Sequence, residues 1–138
     1  MRGQRRAVIA AAVGLLLTPM SVFAHHGSAA FDTGKVVTLN GTVVEWLYAN
    51  PHCLLKLEVT GENGTVANWI AEGQAPNTIF PNGYRKDTFK AGDRVTITVE
   101  PAKNGQPMGR ILKAVLADGK TLGRASSLPP IPGTALEP

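Results

Sequence analysis

From residue 52 to residue 59 the chain alternates cleanly. Cys53, Leu55, Leu57 and Val59 face one way, while His52, Lys56 and Glu58 face the other. A period of two marks a half-buried β-strand. "RVTITVE" (94–100) repeats the pattern, with Val95, Ile97 and Val99 inward and Thr96, Thr98 and Glu100 outward. The β-branched stretch "KVVTLNGTVVEWLY" (35–48) carries Val37, Leu39 and Val43 in one phase, then Val44 and Trp46 in the opposite one. Such a switch after the strand glycine Gly41 predicts a bulge or a sharp bend. "GENG" (61–64) predicts a hairpin turn into a third strand, "TVANWIAEG". "RILKAVLADGKTL" predicts the last strand, with a turn at Asp118-Gly119 before its end.

Between the third and fourth strands lies "QAPNTIFPNGYRKDTFKAGD", crowded with Pro, Gly and Asn. Pro76 predicts the start of a short helix that carries Ile79 and Phe80 inward, before Pro81-Asn82-Gly83 ends it. The element order is therefore β-β-β-α-β-β. An open sheet leaves an exposed edge, and curling a five-stranded sheet into a ring removes it. This order, with a bend in the first strand, predicts a mostly β, small five-stranded OB-like barrel with one short helical insert. An open β-sandwich is the alternative, and the single insert between strands three and four suits it less well.

The flanks differ from this core. Residues 1–24 open with Arg2, Arg5 and Arg6, continue through an apolar run from Ala7 to Leu17, and close on Val22-Phe23-Ala24. A basic head, a short apolar run and small residues at the cleavage position read as a secretory signal peptide. The run is too short to span ~30 Å of hydrocarbon, which takes ~20 residues. The expected mature chain starts at His25, and its expected location is the periplasm. Arg5-Arg6 leaves open whether the general or the twin-arginine route exports it. Residues 25–34 form a polar arm, 35–123 the barrel domain, and 124–138 a Pro-rich tail without apolar periodicity.

Export changes the charge argument. The full chain carries 14 Lys and Arg against 10 Asp and Glu, but three of those Arg lie in the signal, leaving 11 against 10. No basic stripe remains to point to nucleic acid, and no membrane association is expected after cleavage. The single Cys53 cannot form an internal disulfide, and its phase predicts a buried thiol.

The blocks "AHHGSAAFD", "NGTVVEWLYANPH", "NWIAEGQAPNTIF", "GYRKDTFKAGDRVTIT" and "PAKNGQPMGRILKAVLADGKTL" occur in this order between Ala24 and Leu122. Together they resemble a bacterial family of small exported domains of unknown function, marked by a double His after the signal and an Asn-Pro-His hairpin motif. This chain departs from that pattern in His-His-Gly-Ser, where His-His-Ser is usual, and in Cys53, where a larger apolar residue is usual. The resemblance implies a fold and export; it implies no activity.

The residues themselves offer three kinds of chemistry. No phosphate loop, no Gly-x-Ser-x-Gly elbow and no exposed nucleophile beside His52 is present, so no enzyme is expected and no catalytic residue is assigned. Copper binding is the sharper reading. Cleavage before His25 frees an α-amine with a pKa of ~7.7–8.0, and that amine with the His25 or His26 ring gives the nitrogen donors that Cu(II) favours. His52 adds a third imidazole if the arm folds back, and Asp32 or Glu72 completes or orients the site. The spacer "GSAAFDTG" reaches ~26 Å at ~3.3 Å per residue. The other reading is metal-free binding of a periplasmic protein or envelope polymer. Among the aromatics Trp46, Tyr48, Trp69 and Tyr84, it selects a surface of Tyr48, Asn50 and Tyr84.

Overall fold

The computed structural model describes residues 28–124. Six strands carry it: β1 (Val37–Leu47), β2 (Leu54–Thr60), β3 (Val66–Glu72), β4 (Arg94–Pro101), β5 (Met108–Val115) and β6 (Thr121–Leu122). β1 pairs with both β2 and β4, β2 pairs with β3, and β4 pairs with β5. A parallel pairing of Ile70–Glu72 with Met108–Arg110 joins β3 to β5 and closes a five-stranded ring. The barrel that the sequence predicts is therefore the fold, and β6 is an additional strand outside the ring, hairpinned onto β5.

The alternation sorts side chains as expected. Leu39, Val43, Leu55, Leu57, Val95, Ile97, Val99 and Ile111 fill the barrel, and Cys53 is fully buried among them. Desolvation pushes the Cys53 thiol above its ordinary pKa, favouring its neutral form. Gly41 is the close-approach point of β1. A Cβ there would lie 3.0 Å from the Glu58 carbonyl oxygen and 3.1 Å from Val59 Cγ2. The bulge itself falls later, between Val43 and Glu45. Val44 is the extra residue and stands exposed, whereas Trp46 resumes the inward phase and packs on the core. The expectation that Val44 and Trp46 share a face is thus corrected: one inserted residue shifts the register by one and separates them.

Between β3 and β4, α1 (Pro76–Ile79) starts with Pro76 in its first turn, where the missing N–H costs nothing. A 3₁₀ turn (Phe80–Asn82) follows and ends at Gly83, whose φ of 96° favours glycine. Ile79 is buried as expected, but Phe80 is not: it is 51% exposed, with the Arg85 guanidinium 3.6 Å above its ring. Tyr84 occupies the interior instead, in contact with Trp46 and Phe89. No described helix is long and apolar enough to cross a membrane.

Tyr84 is fully buried, and its hydroxyl donates to the Gly123 carbonyl at 2.7 Å. Burial pushes its pKa well above the ordinary phenol range. The folded state therefore favours the neutral phenol, so the stability it contributes is intact below about pH 10 and is lost as pH rises beyond that. Urea unfolding from pH 9 to pH 11 should fall more steeply in the parent than in Tyr84→Phe, which should itself lose about 1 kcal/mol at neutral pH with the hydrogen bond. Parallel curves for the two proteins would rule this out.

Candidate functional site

Alternation places Glu72 (after core Ala71), Arg110 (before core Ile111) and Glu100 (after core Val99) on the outer face of the barrel. Register sets them in one row across β3, β5 and β4: Glu72 opposite Arg110, and Arg110 opposite Glu100. All three are buried, Glu100 at 1% exposure. Outward direction without exposure requires cover, and at Arg110 the N-terminal arm supplies a lid. Phe31 forms a bridge with Ala102, the Lys103 N–H donates to the Ala30 carbonyl, and the Phe31 ring lies 5.3 Å from the Arg110 guanidinium. Arg110 Nε donates to Glu100 Oε2 at 2.8 Å, Arg110 Nη2 pairs with the same oxygen, and Arg124 Nη2 lies 3.8 Å from Glu100 Oε1.

His52 stands at the rim of this row. Its Nδ1 is 2.7 Å from Glu72 Oε1, with the ring 39% exposed and the carboxylate 9% exposed. The cis Asn50–Pro51 peptide precedes it, and the Cys53 and Gly73 backbones lock the start of β2 onto the end of β3. The carboxylate engages Nδ1, which leaves Nε2 as the ring's second nitrogen. A carboxylate on one ring nitrogen holds the orientation of the imidazole. Among the described residues, no group of three or more His, Cys, Asp or Glu side chains is arranged to hold a metal, so His52 and Glu72 alone make no complete cage.

A family model for proteins of unknown function, DUF6152, matches residues 13–111 of the 138. The chain belongs to this DUF6152 family. No curated protein and no solved structure matches it.

Within this DUF6152 chain, the expected site residues separate. His25 and His26 lie outside the described residues. Glu72 meets His52, as one of the two expected supports. Asp32 does not: its Oδ1 accepts from the Gly34 N–H at 3.2 Å, its Oδ2 pairs with Lys35, and its own N–H donates to the Pro101 carbonyl. Asp32 thus shapes the turn that anchors the arm.

The expected partner surface is corrected at Tyr84, which lies inside and offers no surface. Tyr48 is half-buried against the core, its hydroxyl 3.2 Å from the Pro76 carbonyl, and Asn50 is exposed. Trp46 donates its indole N–H to the Arg85 carbonyl, and Trp69 is half-buried. Hydrophobic phase alone does not reveal the Arg110–Glu100–Arg124 knot. In the sequence Glu100 reads as an ordinary outward-facing charge near the end of its strand.

Proposed function

We propose that this protein is an exported binding module that captures Cu(II), with no catalysis of its own. The mature chain begins at His25; its α-amine and imidazole, together with His26, supply the first nitrogens, and His52 Nε2 supplies another. The carrying observation is the His52–Glu72 contact at 2.7 Å, which engages Nδ1 and leaves Nε2 to serve as the donor in this reading. The anchoring of Phe31 supports the same reading. His26 precedes Phe31 by five residues, a reach of about 17 Å at ~3.3 Å per residue. Phe31 covers Arg110, and Arg110 is the cross-strand neighbour of Glu72. Adjacent strands lie ~4.8 Å apart, so the arm is fixed on the part of the barrel that carries His52.

The test is thermal unfolding of the periplasmic protein, its N-terminus confirmed by intact mass, with and without Cu(II). A ligand that binds only the folded state adds ~2.7 kcal/mol at a hundredfold excess over Kd, a Tm rise on the order of 10 °C for a domain this small. The rise should vanish in His52→Ala and shrink in Glu72→Gln. Equal behaviour of parent and His52→Ala would reduce the His pair to a lead-in sequence, leaving metal-free binding of a periplasmic protein or envelope polymer as the function.

A further inference from the structure

A second feature lies at the opposite end of the barrel and is independent of the copper reading. Where β1 passes its close approach at Gly41, the outer faces of β2, β1 and β4 form a cleft of about 370 Å³. Register sets Glu58, Thr42 and Arg94 in one row across the three strands, because Thr42 pairs with Glu58 on one side and with Arg94 on the other. Asn40 and Thr96 form the next row, joined by a 2.8 Å hydrogen bond from Thr96 Oγ1 to Asn40 Oδ1, and Thr60 lines the same cleft. That bond engages Asn40 Oδ1, and Asn40 and Thr42 both line the cleft.

The two charges decide the reading. Glu58 and Arg94 have no hydrogen bond or ion pair among the described residues, although both line one cleft and one row. Strand spacing of ~4.8 Å puts their Cα atoms ~10 Å apart. The gap between the two charged heads thus suits a small molecule carrying its own cation and anion. One wall, from Val115 and Leu116, is apolar.

We propose that this cleft binds a zwitterionic α-amino acid with an apolar side chain. Its carboxylate sits on the Arg94 guanidinium, its ammonium on the Glu58 carboxylate, and its side chain against Val115 and Leu116. Arg94 supplies a planar pair of N–H donors matched to a carboxylate, and Thr42 and Asn40 supply the neutral hydrogen bonds between the two poles. Neither charge alone sets the selectivity. A ligand that lacks one pole leaves the opposite side chain unmatched.

Backbone-amide NMR of the full mature chain, titrated with L-valine, tests this. Saturable millimolar binding is expected at Asn40, Thr42, Glu58 and Thr96, weakened about tenfold or more in Glu58→Gln and in Arg94→Gln. L-Valinamide, which lacks the carboxylate, and N-acetyl-L-valine, which lacks the ammonium, should both bind at least about tenfold more weakly. Both substituted side chains are solvent-exposed, so each variant should keep the parent's dispersed strand resonances. Absence of saturable shifts with L-valine, binding of either blocked analogue as tight as that of L-valine, or variants that bind like the parent would each overturn the proposal. His52→Ala should leave this titration unchanged, which separates its failure from that of the copper reading.

Discussion

Arg110→Met should lower the unfolding free energy by about 3–5 kcal/mol, because it strands a buried carboxylate. Glu100 is 1% exposed, and Arg110 gives it its two close N–H donors. Arg124, at 3.8 Å, is too far to replace them. A small domain has only about 5–15 kcal/mol to lose, so the variant should sit near its folding threshold. Removing both charges should hurt far less. Arg110→Met combined with Glu100→Leu takes away the desolvation cost along with the attraction, and buried pairs replaced by apolar residues are often neutral or better. Urea denaturation checks both expectations through the midpoint at unchanged slope. A loss below about 1 kcal/mol in the single variant would mean that water reaches Glu100 and the lid is open.

Phe31→Ala tests the lid itself. Phe31 is 2% exposed, yet it is not part of the barrel core; it seals the outer-face row from outside. Truncating a buried Phe costs about 3–5 kcal/mol. Part of that loss here comes from rehydrating Arg110 and Glu100, so Phe31→Ala and Arg110→Met should combine with less than the sum of their separate effects, by about 0.5–3 kcal/mol. Hydrogen exchange gives a second readout. The amides of Asp32 and Lys103, which bond to Pro101 and Ala30, should lose protection before those of β1 and β2. Under the copper proposal, the same variant should also uncouple Cu(II) from thermal stability, since the arm would no longer be held near His52. Strict additivity of the two substitutions would show that Phe31 and the charged row act separately.

The parts of the fold that could be read from the sequence are those set by local periodicity. β2 and β4 alternate strictly, so their inward faces, and with them buried Cys53, follow from the pleat alone. Pro76 and Gly83 bound the helical insert through their own backbone restrictions. Three placements depended instead on distant residues. Val44 comes out because the pairing with β2 shifts register there. Tyr84 goes in, where it meets Trp46 and Phe89, and Phe80 stays out beneath the Arg85 guanidinium. Glu100 points outward as its phase requires, yet it is buried and paired with Arg110, which Phe31 of the arm covers, and no window of periodicity contains both Phe31 and Glu100. At the candidate site, Glu72 as an orienting group for His52 was legible as a residue type. Its selection over Asp32 was not, because it depends on β3 meeting the start of β2.

The row around Glu100 also bears on how the domain could be rewired. Phe31 arrives at Arg110, and Arg124 leaves beside Glu100, with its carbonyl held by Asn82. The described chain thus enters and exits at one pole, and the Glu58–Arg94 cleft opens at the other. A circular permutant that joins residues 28 and 124 by a short flexible linker, and opens the chain at the exposed Gly61–Gly64 turn, would keep every strand pairing of the ring. By the same geometry, a surface or a second domain attached through either flank would leave the far pole facing solvent.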